Sequence, residues 1–216
     1  MRTWMRRTAP LCLLGLAMAV PACDSEDDDH GDEHGESEVI SRVTLTFTPD
    51  GGGDAVVASF DDPDGDGGMS GSSDAITLAA GTSYTMTVEF VNALEDPAED
   101  ITEEIREEAE EHMVLVYGDA VTGPAGVGSN VLVSHAYADV ESDYGMNAVG
   151  DDLPVGLANT MTATNAGTAE FRVMLRHLPE LNGEAQKTGD LVDTFASGGA
   201  TAGEVDVAVD FELTVQ

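Results

Sequence analysis

Most of the chain after residue 39 alternates between hydrophobic and polar positions with a period of two. The clearest run is the last one, EVDVAVDFELTVQ, in which Val205, Val207, Val209, Phe211, Leu213 and Val215 alternate with polar partners. The same alternation occurs in VTLTFTP from Val43, in SYTMTVEFVN from Ser83 and in AEFRVML from Ala169. A period of two is typical of half-buried antiparallel strands, because successive side chains point to opposite faces of a sheet.

Further strands are predicted near residues 54–60, 75–79, 113–118, 130–138 and 155–163, separated by glycine-rich turns such as AAGTS and ASGGATAGE. This spacing predicts an all-β fold for residues 39–216, an antiparallel β-sandwich that is immunoglobulin-like in general architecture. Two smaller sandwiches, divided near residues 118–129, are the alternative.

One segment departs from the strand pattern and predicts a short acidic helix. The stretch EDPAEDITEEIREEAEEHM, residues 95–113, places Ile101, Ile105 and Ala109 at i, i+4 and i+8, with Asp100 as a candidate N-cap. His112 continues this apolar stripe. Like-charged glutamates at i, i+4 each destabilise such a helix by about 0.2–0.5 kcal/mol. We therefore expect that either packing or a bound cation offsets their repulsion.

The first 22 residues have the form of a lipoprotein signal peptide. A basic start precedes the apolar run Leu11–Val20, and the sequence VPAC ends at Cys23. This run is too short for a membrane span. Cleavage before Cys23 would leave a chain with one cysteine and no disulfide, and Cys23 would carry the lipid. The alternative is a plain secreted protein.

Residues 23–38, CDSEDDDHGDEHGESE, are predicted to be a disordered acidic tether, because they contain no large apolar side chain to bury. His30 and His34 lie among the carboxylates. Mixed imidazole and carboxylate donors suit zinc and similar ions. The tether is therefore either a weak metal collector or an acidic spacer with two incidental histidines.

The charge of the chain excludes one class of partner. The formal net charge is −34, and removal of Arg2, Arg6 and Arg7 with the signal peptide would make it −37. Nucleic-acid binding requires a basic surface, so we expect no nucleic-acid partner. A strongly acidic protein attracts cations, although adaptation to salt explains the same composition.

Four segments of the chain resemble, in the same order, a family of small acidic bacterial lipoproteins common in Bacteroidetes. They are VTLTFTPDGGGDAVVASFDDPDGDGG, EDPAEDITEEIREEAEEH, GTAEFRVMLRHLPE and VDVAVDFELTVQ, which together span most of residues 39–216. Members are often described as type 1 periplasmic binding fold superfamily proteins, a fold that alternates strands and helices, whereas this chain is predicted to be nearly all strand. The resemblance implies a lipid-anchored protein of the bacterial cell envelope, at the outer membrane or on the periplasmic face, and a link to TonB-dependent uptake receptors. His112 and His177 correspond to its helix and LRH histidines.

These two histidines form the first candidate site, which we predict to bind zinc. Glu108 and His112 are four residues apart on the predicted helix, so both side chains can reach one ion. His177 has the parity of the core-facing positions of its strand. Glu111 or His135 would complete a tetrahedral site. The alternative is a pair of hydrogen-bonded histidines without a metal.

The second candidate site is a calcium loop in DDPDGDGGMSGSSD. Asp62, Asp64 and Asp66 match the first half of a D-x-D-x-D-G loop, and Asp74 is a late ligand candidate. Ser73 occupies the twelfth position, where an EF-hand needs glutamate, so a looser site is expected. The alternative is an acidic hairpin loop without an ion.

No nucleophile, phosphate-binding or dinucleotide motif is present in the sequence, and we expect no enzyme. The sequence thus predicts an anchored lipoprotein that binds a divalent metal, accessory to an uptake receptor. The alternative function is a structural or adhesive sandwich, stiffened by calcium, with no role in transport.

Overall fold

The computed structural model describes residues 38–65, 71–147 and 150–216. The strands in chain order are β1 Arg42–Pro49, β2 Val56–Asp61, β3 Ser72–Ser73, β4 Ile76–Leu78, β5 Ser83–Val91, β6 His112–Tyr117, β7 Val121–Thr122, β8 Val133–Tyr137, β9 Ala158–Ala163, β10 Gly167–His177 and β11 Glu204–Val215. The helices are α1 Ile101–Glu107 and α2 Leu191–Ala196, with a 3₁₀ turn at Glu141–Asp143. The predicted signal peptide, Cys23, His30 and His34 lie outside the described residues.

The strands form two sheets, which confirms the predicted sandwich. One sheet has seven strands in the order β3-β2-β1-β5-β9-β8-β7, and the other has four in the order β4-β11-β10-β6. Every strand pair is antiparallel among the described residues except two edge pairs, β4 with β11 and β7 with β8, which are parallel. Strand β10 of the four-stranded sheet ends at His177, and its neighbour β6 begins at His112.

The core lies between the sheets and follows the alternation in the sequence. Phe47 of β1 contacts Phe171 of β10 edge to face, with ring centroids 6.2 Å apart. One hydrophobic cluster unites strands from before and after residues 118–129. A fully buried Phe or Leu side chain contributes about 1.5–3 kcal/mol by its removal from water, so this core orders both sheets together.

Helix α1 closes one end of the sandwich, with Ile101, Ile105 and Ala109 buried in the core as predicted. The Asp100 side chain caps it by accepting a hydrogen bond from the Thr102 amide. The Thr102 hydroxyl donates to the Phe90 carbonyl at 3.0 Å and accepts from the Phe90 amide at 2.8 Å. These buried bonds fix the helix to the end of β5, and so position the residues that follow it.

The sequence pattern was wrong about the end of this helix. Helix α1 ends at Glu107, residues 108–111 form a turn, and His112 is the first residue of β6. Helix α2 was not predicted. Its Leu191 joins a second hydrophobic cluster with Met113, Leu115 and Leu178. No helix among the described residues has the length and apolarity needed to cross a membrane.

Candidate metal centre

His112 and His177 are direct neighbours across the β6–β10 pair, at the end of the four-stranded sheet. They are register partners, so both side chains leave the sheet on the same face. Their rings are stacked, with centroids 4.7 Å apart and an angle of 3° between the planes. His112 is fully buried and His177 is 7% exposed. The antiparallel register thus brings together two histidines that are 65 residues apart in the chain.

The turn after α1 brings Glu108 to this pair. A carboxylate oxygen of Glu108 lies 3.9 Å from His112 Nδ1. One ligand atom from each of Glu108, His112 and His177 lies within 4.8 Å of the other two, and among the described residues this is the only such group of three or more His, Cys, Asp or Glu side chains. The structure therefore confirms the three residues named first in the zinc prediction as a possible metal-binding group.

The ring of His112 is held in one tautomer. Its Nδ1 lies 3.2 Å from the backbone carbonyl of Glu108. A carbonyl only accepts, so Nδ1 carries the proton and Nε2 keeps its lone pair. Metal-binding histidines commonly donate one ring N–H to a carbonyl in this way, which orients the other nitrogen as a ligand. His112 Nε2 and His177 Nε2 are both buried, and neither has a hydrogen-bond partner among the described residues.

Burial also keeps His112 in the form that binds metal. The pKa of His112 is lowered to about 4, chiefly by burial and then by the neighbouring His177, although the bond to the Glu108 backbone opposes this shift. A metal ion competes with a proton for the imidazole lone pair. Near neutral pH, His112 is therefore neutral and offers no proton for the metal to displace.

Glu111 lies next to His177 but is not one of the three residues of the metal-binding group. Its Oε2 lies 3.9 Å from His177 Nε2 and is buried, with no hydrogen-bond partner among the described residues. Its backbone carbonyl accepts from the Leu178 amide, which holds the turn against the end of β10. Glu111 also lines a cleft of about 180 Å³ with Glu110 and Glu180. It is the nearest candidate for a fourth ligand.

A buried ion pair supports the same turn. Lys187 Nζ lies 2.7 Å from Glu141 Oε1, and the two side chains are only 1% and 3% exposed. The ammonium also donates to the Ala109 carbonyl at 2.7 Å. Ala109 lies between Glu108 and His112, so Lys187 fixes the backbone that orients both of them. This contact cannot be predicted from the local sequence, because Glu141 and Ala109 are 46 and 78 residues away from Lys187.

Two other carboxylates, Glu38 and Asp206, have raised pKa values, and the sequence analysis singled out neither of them. Burial is the largest cause that raises the pKa of Glu38 to about 7. Glu104 adds to this shift through its charge and a hydrogen bond, and the charges of Asp206 and Glu108 raise the pKa further. The pKa of Asp206 is raised to about 7 by burial and then by Glu204, against the charge of Arg176. Glu38 is the last residue of the predicted tether and interacts with Glu104 of α1.

The structure does not bring His135 to the centre, so the prediction that it completes the zinc site is wrong. His135 lies on β8 of the other sheet, and its Nε2 is 2.8 Å from the Asn159 side-chain oxygen. Its ring packs edge-on against Tyr137. His135 belongs to no metal group among the described residues, although its Nδ1 is buried without a hydrogen-bond partner there.

The predicted calcium residues form no metal group among the described parts of the chain. Asp62 is buried and accepts a hydrogen bond from the Asp64 amide at 3.4 Å. Asp74 accepts from the Ser59 amide at 3.0 Å, so it ties the loop to β2. Asp66 lies outside the described residues. The calcium site therefore stays a prediction for this loop.

Comparisons of the chain with protein-family models, with curated proteins and with solved structures found no match. The resemblance to acidic lipoproteins therefore stays a prediction.

Proposed function

We propose that this protein is an envelope-anchored lipoprotein that binds a divalent metal ion, with zinc favoured, at Glu108, His112 and His177. The observation that carries the proposal is the convergence of one ligand atom from each residue within 4.8 Å. Two buried imidazole nitrogens without hydrogen-bond partners support it, because a buried polar atom without a partner costs about 1–3 kcal/mol. A bound cation removes that cost.

Zinc fits the chemistry of these donors. Two histidines and one glutamate form a known protein ligand set for zinc, with the fourth position left for water or another ligand. Imidazole donors distinguish the site from magnesium and calcium sites, which are built from oxygen. Zinc–nitrogen bonds are about 2.0–2.1 Å long, so the three side chains must close on the ion from their present separation. Glu108 has the freedom to move, since its side chain is 30% exposed.

The surroundings favour a cation electrostatically. Glu111 lies beside His177, the charges of Glu38 and Glu108 act on each other, and the whole chain has a formal net charge of −34. In a partly buried site, such charges attract a divalent ion more strongly than they do in bulk water. The repulsion among the carboxylates falls when the ion binds, so binding and fold stability are coupled.

The proposal for location rests on the sequence alone. Residues 1–22 have the form of a signal peptide, Cys23 is the lipid attachment site, and residues 23–38 supply a tether. A protein that holds zinc at the end of such a tether is suited to deliver it to an uptake receptor of the TonB-dependent kind. Replacement of Cys23 by serine tests the anchor: the protein should move from the membrane fraction to the soluble fraction and lose labelling by a radioactive fatty acid.

The metal itself is tested by elemental analysis of untagged protein purified without chelator. We expect about one equivalent of zinc per chain in the His30→Ala/His34→Ala background, which removes the tether histidines and leaves the folded site intact. Addition of His177→Ala should remove that equivalent while the circular dichroism of the sandwich is retained. A metal content that does not depend on His177 would contradict the site.

A further inference from the structure

The cleft beside Glu111 is strongly acidic. It has a volume of about 180 Å³, and five carboxylates line it, those of Glu110, Glu111, Glu141, Asp151 and Glu180. Lys187 is the one cation among the described residues that line it, and its ammonium is buried against Glu141. The other four carboxylates therefore give the cleft a negative charge.

Glu111 connects this cleft to the histidine pair. Its side chain is 25% exposed, yet its Oε2 is buried and lies 3.9 Å from His177 Nε2. Neither of these two atoms has a hydrogen-bond partner among the described residues. Solvated carboxylates are ordinary on so acidic a chain, whereas a buried imidazole nitrogen without a partner next to them is not. One carboxylate thus faces both the cleft and a nitrogen that can bind metal.

A second cleft borders the same turn but suits a cation less well. It has a volume of about 260 Å³ and reaches Glu108, but Arg106 lines it. A guanidinium stays charged in proteins, so it repels an approaching metal ion. Glu107 lines this larger cleft and not the smaller one, whereas Glu180 lines only the smaller one. These two glutamates therefore distinguish the two routes to the turn.

We propose that the smaller cleft is the entrance through which the divalent ion reaches the histidines, and that Glu111 passes the ion to His177; this inference rests on the proposed function. A cleft lined by one sign of charge raises the local concentration of ions of the opposite sign. Carboxylate oxygen and imidazole nitrogen are both zinc ligands. Glu111 can therefore bind the ion in the cleft and release it to the neighbouring nitrogen.

The test measures how fast zinc binds to the full chain in the His30→Ala/His34→Ala background. Metal-free protein is mixed with zinc by stopped flow, and a fluorescent zinc indicator reports the free ion. A cleft of one charge sign speeds association by about 10–1,000-fold, so the loss of one of four charges in Glu180→Gln should slow association by roughly two- to sixfold. The dissociation rate, measured by transfer to excess chelator, should stay nearly constant.

Salt separates the role of Glu111 from that of the cleft. The slowing in Glu180→Gln should disappear near 1 M salt, where the screening length is about 3 Å. Glu111→Gln should slow association by about tenfold or more, and the slowing should persist in salt because it reflects a direct contact with the ion. A change confined to faster dissociation would make Glu111 a fourth ligand only and would overturn its role in transfer.

Two charge-matched controls define the route. Glu107→Gln removes a charge from the larger cleft, and Glu212→Gln removes an exposed charge from β11, eight residues beyond Glu204, the partner of His177. Neither should slow association. Slowing in Glu107→Gln that equals or exceeds the slowing in Glu180→Gln would overturn the entrance.

The outcomes also separate this inference from the proposed function. Absence of zinc binding would overturn both. Zinc binding that requires His112 and His177, with an association rate unaffected by Glu180→Gln and Glu111→Gln, would overturn the entrance and leave the metal centre standing.

Discussion

His112 and His177 lie opposite each other across two antiparallel strands, with their rings parallel and 4.7 Å apart. The two imidazoles share a buried position, and their Nε2 atoms have no hydrogen-bond partner among the described residues, so a cation there would satisfy both atoms. The pair lies at the end of the sandwich under the turn after α1, where Glu108 supplies a third donor. The first predictions concern this arrangement.

Removal of one imidazole should weaken zinc binding strongly while the fold survives. A change to a residue that only supports a ligand typically costs about 10–100-fold in metal affinity, so loss of a ligand in His177→Ala should cost at least about 100-fold. Zinc competition with a chromophoric chelator measures the change. Circular dichroism checks the fold, and full affinity in a folded His177→Ala protein would remove His177 from the site.

Glu108 should act through its carboxylate and not through the general acidity of the helix. Glu108→Gln replaces a charged oxygen donor by a neutral one. Because one charged contact with the ion is lost, zinc affinity should fall by about tenfold or more. Glu107→Gln removes an equal charge from the exposed neighbouring position. If both variants lose zinc affinity equally, Glu108 acts only through the general negative charge of the helix and not as a ligand.

The Lys187–Glu141 pair should matter for stability far more than an exposed pair does. Lys187→Met leaves the Glu141 carboxylate buried without its cation, and breaking a buried pair in this way typically costs about 3–5 kcal/mol. Arg42→Met breaks the pair with Asp61, whose side chains are 49% and 50% exposed, and should cost about 0–1 kcal/mol. Urea unfolding of the two variants compares these costs. Equal losses would contradict the structural role of Lys187.

The metal-free protein should be stabilised by Asp206→Asn at neutral pH but not at acidic pH. The pKa of Asp206 is raised by burial from 3.8 to about 7, so the folded state binds its proton more tightly than the unfolded state does. The contribution of this proton is fully present below pH 3.8 and is lost as pH rises through 7. Above pH 7 the wild type should therefore be less stable than the variant by roughly a few kcal/mol.

Denaturant unfolding in chelator from pH 4 to pH 8 measures the difference between these two proteins. The gap should open between pH 4 and pH 7 and then stay constant. A gap that does not change with pH would show that Asp206 titrates normally. Glu212→Gln, on the exposed face of the same strand, is the control and should show no gap.

The fold could be predicted because burial dictates the sequence pattern. Alternation located the long strands to within a few residues, and the apolar stripe of Ile101 and Ile105 located α1. His177 could be placed on the core-facing side because parity along a regular strand is reliable as far as its end. The pairing of β10 with β6 places His177 next to His112. The sequence alone could suggest this contact but could not establish it.

The errors occur where contacts distant in sequence override the local pattern. The position of His112 is compatible with both the apolar stripe of the helix and the start of a strand. The turn at residues 108–111 ends the helix, so His112 becomes the first residue of β6. The bulge in β11 adds one residue, so the alternation that placed Val205 inside and Asp206 outside fails there. Glu38, the last residue of the predicted tether, interacts with Glu104 of α1, and nothing in its local sequence indicates this contact. Each of these features depends on contacts distant in sequence.

The most direct test of the central claim is a zinc titration by calorimetry of two untagged proteins. Both carry His30→Ala and His34→Ala, and one also carries His112→Ala and His177→Ala. We expect one zinc ion per chain with micromolar or tighter affinity in the first protein, and no such binding in the second, with both proteins folded. Equal binding in the two proteins, or no binding in the first, would contradict it.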